Sequence, residues 1–302
     1  MVLKKQAMER TILRLLSYVV IVMMLGAAFP VRAEISADPT SSDPEPMPEK
    51  RWSSFLPLMA DEAKKRGYQL PLPFGASTVL VTLLNRKVDI TDVRVGVNGA
   101  PPHSVSRFVD IGSTSDIVID ANLKLDAWLL PFLNVYLLGG YVYNETTTNA
   151  NITLPGNVNF STSIKTKLDG FVGGGGMTLA GGYQDFILVA DANWSQTDIG
   201  FDDKFRAIIA TVRAGWNGRV GSNPLQLWIG EGYWNTTNTA KGSANVPGVG
   251  NIVFEADQGP KYLWMTDIGG NLEIAKYFQT VLDFGFDFHG GYAIVVAPTY
   301  RF

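Results

Sequence analysis

The chain has 302 residues, 46% of them hydrophobic, and a formal net charge of −3 at pH 7. It contains no cysteine, which excludes a disulfide scaffold and thiolate metal sites. The slightly acidic balance argues against a nucleic-acid partner, and the length suits one large all-β domain.

The first 33 residues have the organisation of a cleavable signal peptide. Four basic residues precede an apolar run over 15–28, and small residues flank Arg32 at a cleavage site after Ala33. The alternative, a retained transmembrane anchor, is less favoured because the run is shorter than the roughly 20 residues that span a bilayer. Cleavage leaves a chain with 20 basic and 27 acidic residues.

The segment before the first strand falls into two parts. Residues 34–51 are rich in Pro, Asp, Glu and Ser, which predicts a disordered linker. Residues 52–73 are predicted to hold a periplasmic amphipathic helix, at about 53–66, and a proline-rich lead-in. The apolar face of that helix would carry Phe55, Leu58, Met59 and Ala63. The sequence leaves two alternative locations for this helix: inside the lumen as a plug, or at the membrane interface.

The remainder, residues 74–302, reads as a series of strands without intervening helices. Ten segments have strand-like composition and several reach the roughly 9–11 residues that cross a bilayer. They cover 76–85, 115–128, 133–146, 164–180, 185–198, 204–216, 225–237, 260–275, 278–289 and 291–302. The fold class is therefore all-β, an antiparallel transmembrane β-barrel of about ten strands. Twelve strands are the alternative if 88–97 and 104–111 also cross.

The connections between these strands alternate in length. Short turns fall at 129–132, 181–184 and 275–278, whereas 86–114, 147–163 and 238–259 are long and polar. Short turns on one side and long loops on the other are typical of an outer-membrane barrel. A soluble sandwich of two sheets is the competing architecture, but it gives no reason for this sorting.

Several strands have one apolar and one polar face. In 278–289, for example, three phenylalanines and Leu282 alternate with Asp283 and Asp287. On this alternation, twelve charged residues are predicted to face the lumen: Asp116, Asp120, Lys124, Asp126, Asp191, Arg213, Glu231, Asp267, Glu273, Asp283, Asp287 and Arg301. Nine are acidic and three basic, so an open lumen would favour cations, although many of these charges could pair with one another.

The chain ends in "YAIVVAPTYRF", in which every second residue is large or apolar. Together with the export signal and the ten strands, this ending resembles Gram-negative outer-membrane β-barrel proteins. The resemblance covers about residues 74–302 and extends to the class, not to one functional family. It implies location in the bacterial outer membrane, contact with its lipid, and recognition of Tyr300 and Phe302 by the barrel assembly machinery.

Motifs with catalytic chemistry are sparse. The two histidines are His103, in a loop, and His289, which follows Asp287 by two residues and forms a weak candidate pair for activating water. The glycine run at 170–182 lacks the Lys-Ser/Thr of a phosphate-binding loop. We expect no metal site and no cofactor.

The favoured function is a narrow, porin-like channel for small solutes or cations, or a structural component of the cell envelope. One alternative is a barrel enzyme, a hydrolase or a lipid-modifying enzyme, that uses Asp287 and His289. Another is a barrel that binds surface partners through its long loops. The sequence favours a protein without enzymatic activity.

Overall fold

The computed structural model describes residues 55–66, 70–105, 109–154, 158–198, 205–246 and 250–302. The predicted signal peptide (1–33) and linker (34–51) lie outside these residues. Within them, helix α1 spans Ala60–Lys65. The strands are β1 (Phe74–Arg86), β2 (Val88–Val97), β3 (His103–Ser104), β4 (Val109–Leu130), β5 (Leu133–Leu154), β6 (Val158–Tyr183), β7 (Phe186–Asp198), β8 (Phe205–Val220), β9 (Asn223–Val246), β10 (Gly250–Pro260), β11 (Trp264–Ala275), β12 (Phe278–Phe286) and β13 (Tyr292–Arg301).

Ten of these strands close into an antiparallel barrel. The order is β1, β4, β5, β6, β7, β8, β9, β11, β12 and β13, and β13 pairs back onto β1. Paired residues followed once around the barrel lead from Gly170 of β6 to Gly182 of the same strand, a shear of twelve residues. Such a shear tilts the strands by roughly 40° from the barrel axis. The predicted ten-stranded barrel is confirmed.

The twelve-stranded alternative is wrong, because residues 88–97 form a strand outside the barrel. β2 pairs with β10, β10 pairs with the last third of β9, and the short β3 pairs with β2. We call β2, β3, β10 and residues 238–246 of β9 the outer sheet. Two of the three predicted long loops, 86–114 and 238–259, therefore contain regular strands. The third, 147–163, is filled by the extended β5–β6 hairpin, whose pairing continues to Leu154 and Val158.

The two ends of the barrel differ in the way predicted. The turns at 131–132, 184–185, 221–222 and 276–277 are two residues long and lie at the end where β1 begins and β13 finishes. The opposite end carries the outer sheet and the extensions of β4, β5 and β6. Since outer-membrane barrels have short periplasmic turns and longer extracellular loops, the short-turn end is periplasmic.

Large apolar side chains lie on the outside of the barrel and polar ones inside. Exposed examples include Leu123, Leu137, Ile208, Ile229, Ile268 and Phe284, whereas Ser77, Asn122, Thr211, Asp267 and Asp283 are buried. Exposed aromatic rings gather near both ends: Tyr183, Phe186, Trp216, Tyr300 and Phe302 at the periplasmic end, and Tyr141, Phe171, Trp194 and Trp264 towards the outer end. This inside-out distribution with aromatic girdles is that of a barrel surrounded by lipid, and the chain is an outer-membrane β-barrel.

The N-terminal helix is shorter than predicted and turns a different face to the barrel. α1 has six residues, and the Leu58 N–H donates to the Leu129 carbonyl at the periplasmic end of β4, 2.9 Å away. Phe55 and Met59, predicted on the apolar face of the helix, are 80% and 62% exposed, while Leu56 and Ala60 are buried. The exposed apolar side chains suit an interfacial position better than a plug. In the described residues, no helix is long and apolar enough to cross a membrane.

Candidate functional site: the barrel lumen

The lumen is lined by the alternate residues that face away from lipid. Of the charged residues predicted there, Asp116, Asp126, Asp267, Asp283, Asp287 and Arg301 are buried. Asp120, Lys124, Asp191, Arg213 and Glu273 share their inward faces and are half-buried. β4 alone carries four of these groups and therefore samples the lumen from its outer end, at Asp116, to its periplasmic end, at Asp126.

Glu231 was assigned to the wrong face. It is exposed and alternates in step with the lipid-facing Leu227 and Ile229. Its Oε2 accepts a hydrogen bond from Thr266 Oγ1, its partner on β11, at 2.8 Å. The inward positions of this part of β9 are Gly230 and Gly232, which leave room for neighbouring side chains: a Cβ at Gly230 would lie 2.6 Å from Arg213 Cγ. Glu231 was predicted to face the lumen because the glycines on either side have no side chain that indicates which face of the strand is inward.

At the periplasmic end, Arg301 ties the last strand to β4 and to the lead-in segment. Its Nη2 lies 3.0 Å from Asp126 Oδ2, which also accepts from Asn134 Nδ2 at 2.7 Å. Its Nη1 donates to the Leu72 carbonyl at 3.1 Å, and Leu72 is itself buried. The chain preceding β1 is thus anchored at this mouth of the lumen.

In the middle of the lumen, Arg213 holds two carboxylates. Its Nε lies 2.6 Å from Asp267 Oδ2 and its Nη2 lies 2.7 Å from Asp283 Oδ2, while Nη1 donates to Thr211 Oγ1 at 3.1 Å. The guanidinium also lies 5.8 Å from the ring of Trp228. One cation between two anions leaves this group with a net negative charge.

Beside it, a second group surrounds Tyr136. The hydroxyl of Tyr136 donates to Asp191 Oδ1 at 2.9 Å, and Thr178 Oγ1 donates to Asp191 Oδ2 at 2.6 Å. Lys124 places its Nζ 3.9 Å from the centre of the Tyr136 ring. Lys124 is half-buried, so part of its surface remains accessible to solvent.

At the outer end, Arg86 is a lumen residue that the sequence reasoning missed. It is 3% exposed, donates to the Trp234 carbonyl at 3.3 Å and interacts electrostatically with Asp116 and Asp287. The pairing of β1 with β4 shifts between Leu84 and Arg86, where Asn85 has a positive φ of 55°. This bulge reverses the alternation after Leu84, and Arg86 belonged to the predicted loop 86–114, for which no inward face was predicted.

Between Arg86 and the middle of the lumen lies a layer without polar side chains. Leu83, Val118, Val142, Met265 and Ala293 are buried together, and Val81 and Trp234 pack against them. We call these seven residues the apolar layer. On β4, Val118 lies between Asp116 and Asp120, and on β11, Met265 precedes Asp267 by one inward position. Met265 is 2% exposed and Leu83 4%, so the lumen is filled at this level.

The candidate catalytic pair does not form. Asp287 Oδ1 accepts the backbone N–H groups of His289 and Gly291, at 2.7 and 2.8 Å, which shapes the turn between β12 and β13. The imidazole of His289 instead contacts the Asp287 carbonyl and stacks on Tyr262, with ring centroids 3.6 Å apart. An imidazole that does not reach the carboxylate cannot be oriented by it, so these residues do not support hydrolysis. In the described part of the chain, no group of three or more His, Asp or Glu side chains could hold a metal ion.

Successive glycines of the run on β6 alternate between the lumen and the outer surface of the barrel. Gly174 and Gly176 face the lumen, and a Cβ at Gly176 would lie 2.6 Å from the Tyr136 hydroxyl. Gly173 faces outward with no atom within 4 Å of the corresponding position. The inward glycines therefore make room for the polar groups of the middle lumen.

The predicted assembly signal lies on the lipid face of β13. Tyr300 and Phe302 are 53% and 56% exposed, and the Phe302 ring stacks on Phe74 with centroids 6.0 Å apart. Their recognition by assembly machinery stays a prediction.

Comparisons with known proteins give structural neighbours only. No protein-family model matches the chain, and no curated protein does. The outer membrane protein OprG from Pseudomonas aeruginosa is 10% identical, with a TM-score of 0.39, over 77% of this chain and 98% of that one. The transport unit of the autotransporter AIDA-I from Escherichia coli is 13% identical, with a TM-score of 0.39, over 76% of this chain and 90% of that one. The toluene transporter TbuX from Ralstonia pickettii is 10% identical, with a TM-score of 0.34, over 77% and 90%. These values are low, and the assignment as an outer-membrane barrel stands on the chain's own strands, faces and turns.

Proposed function

We propose that the chain is a narrow outer-membrane channel for small solutes, closed at rest and selective for cations when open. The observation that carries this proposal is the charged middle of the lumen, where side chains are half-buried and retain surface towards an internal space. Asp120, Lys124, Asp191 and Arg213 all belong to this set. A lumen packed only for stability would leave such charged groups without free surface.

The balance of charge supports cation selectivity. Among the described inward positions, eight residues are acidic: Asp116, Asp120, Asp126, Asp191, Asp267, Glu273, Asp283 and Asp287. Four are basic: Arg86, Lys124, Arg213 and Arg301. Rings of acidic side chains favour cations in narrow pores.

The test is conductance of the purified full chain in planar bilayers under a salt gradient. We expect rare, small openings whose reversal potential indicates cation preference. Asp120→Asn should reduce that preference, because Asp120 faces the lumen and has no salt bridge among the described residues. Glu231→Gln is the matched control, since it removes the same charge from the lipid face. Anion preference, or an equal effect of both variants, would overturn the proposal.

The alternative of a barrel that binds surface partners through its long loops stays a prediction. The enzymatic alternative based on Asp287 and His289 is not proposed, because their geometry does not support it.

A further inference from the structure

We infer that the apolar layer is the element that excludes hydrated ions from the lumen and so sets what the barrel can pass. This inference rests on the proposed channel function only for its physiological use. The exclusion itself is a property of the seven side chains and can be measured without any current.

The first step is that the apolar layer reaches around most of the wall. Its members come from β1, β4, β5, β9, β11 and β13. On the remaining wall, Val172 of β6 and Ala207 of β8 are also buried and alternate with the lipid-facing Phe171 and Ile208. An ion that moves along the axis therefore meets hydrocarbon on eight of the ten strands at this level, and Ser195 on β7, opposite Ala207, and Gly285 on β12, opposite Ala293, complete the wall.

The second step is the contrast in burial along the lumen. The layer residues are at most 9% exposed, apart from the packed Val81 and Trp234, whereas Asp120 and Lys124, further towards the periplasm on β4, are half-buried. Water thus reaches side chains below the layer but not the five buried members of the layer. Hydrophobic constrictions block ions because a charged group must lose its hydration shell there without gaining a partner.

The third step concerns Met265, the most buried side chain of the chain's described part. Methionine is unbranched and has three rotatable bonds, so it can leave a filled position by changing rotamer. A Cβ at Gly285, on the neighbouring strand β12, would lie 3.3 Å from Ala293 Cβ and 3.7 Å from Met265 Cε, so the end of the Met265 side chain packs over a glycine, with no side chain on that residue to hold it. Met265 is therefore the specificity-determining residue through which the layer would open.

The absence of cysteine makes a direct test available, since any introduced thiol is the only one present. Two reporters face the lumen: Asn144→Cys lies above the layer on β5, and Val79→Cys lies below it on β1. Each full-length variant is inserted into vesicles with its periplasmic end inward and a thiol quencher enclosed. A small cationic methanethiosulfonate is then added outside, and the modification rate is measured by mass.

We expect Val79→Cys to react at least about tenfold more slowly than Asn144→Cys, because the reagent must cross the layer. Adding Met265→Gln should raise the rate at Val79→Cys about tenfold and leave the rate at Asn144→Cys unchanged. Met177→Gln is the matched control, because Met177 is 52% exposed on the lipid face, and it should change neither rate. If Met265→Gln prevents folding, the double variant Val118→Thr and Val142→Thr adds two hydroxyls to the layer at nearly constant volume.

Equal rates at the two reporters in the parent barrel would overturn the inference. So would a folded layer variant, of either kind, in which Val79→Cys stays protected. Labelling that responds to Met265→Gln while no variant conducts would retain the inference and overturn the channel proposal. If a layer variant conducts while labelling at Val79→Cys stays unchanged, the channel proposal is retained and the inference about the apolar layer is overturned.

Discussion

Two arginines, one in the lumen and one in the outer sheet, perform the same structural task in different surroundings. Arg213 on β8 reaches across β9 to bind Asp267 on β11 and Asp283 on β12, at 2.6 and 2.7 Å. Arg94 on β2 binds Asp92, Glu255 and Asp257 at 2.7 to 3.2 Å. The two carboxylates of Arg213 are 9% and 5% exposed, whereas those of Arg94 are 22% to 35% exposed.

The difference shows that ion pairs with similar distances can contribute differently to the free energy of unfolding. A buried carboxylate that loses its cation has no water to replace it, whereas an exposed one is solvated again at once. The Arg213 cluster should therefore determine whether the barrel wall holds together, and the Arg94 cluster should only tune the outer sheet. Removing each arginine tests this contrast at its extremes.

Arg213→Met should give the largest effect, a loss of about 3–5 kcal/mol in the free energy of unfolding, because two buried carboxylates lose their partner. Urea unfolding from lipid vesicles, followed by tryptophan fluorescence, measures it. Arg206→Met is the control, as Arg206 is an exposed arginine on the same strand. A loss below about 1 kcal/mol for Arg213→Met would place its cluster in the same class as a surface pair.

Gly176→Ala tests the second polar group of the lumen and should cost about 1–3 kcal/mol through overpacking. The new methyl group would collide with Tyr136 and displace its hydroxyl from Asp191. Gly173→Ala, three residues along β6 and facing outward into open space, should be close to neutral. Equal costs in the same unfolding measurement would contradict the assignment of faces on β6.

Arg94→Ala should cost at most about 1 kcal/mol, and the cost should shrink as salt is added. Global unfolding would not resolve it, so amide hydrogen exchange along β10 is the better measurement. Exchange should accelerate in β10 and remain unchanged in β11. A large, salt-independent effect that spreads into the barrel would break the comparison with Arg213.

The smallest effect is a pH dependence confined to the outer sheet. The hydrogen bond from Arg94 lowers the pKa of Asp257, and Thr239 adds to the shift. A carboxylate with a lowered pKa stabilises the fold fully above its unfolded pKa and loses this contribution as the pH falls through its folded pKa, below about pH 5. The protection of the β10 amides, measured relative to the intrinsic exchange rate at each pH, should therefore fall in acid, and Asp257→Asn should abolish that fall.

The barrel could be predicted from sequence because lipid imposes a strict two-residue alternation on long strands. Ile117 to Leu125 and Leu282 to Phe288 show that pattern clearly, and the strands were located there to within a few residues. The outer sheet was only partly predicted: residues 88–97 were an alternative membrane strand, and 238–259 a loop. The sheet lies in water, where Arg94 and Glu255 can occupy strands that have no lipid-facing side.

The lumen was less predictable, for reasons that particular residues illustrate. Arg86 follows a β-bulge that no residue type in the sequence indicates. Glu231 lies between two glycines, so the neighbouring residues do not indicate which face of the strand is inward. The apolar layer was invisible because Leu83 and Met265 have the character of lipid-facing residues. Only the register of the closed barrel shows that they face inward.

The two connections that flank β2 should differ in how well they tolerate an inserted peptide. Lys87 joins the two strands, and its carbonyl accepts the Lys261 N–H at 2.9 Å, so a peptide tag inserted there would separate the barrel from the sheet. The turn after β2 is different: Gly99 has a φ of 83°, and no atom lies within 4 Å of the position that its Cβ would occupy. Exposed turn tips accept insertions well, so a peptide displayed after Gly99 would stand at the end of β2 away from the barrel without disturbing the strands that carry it.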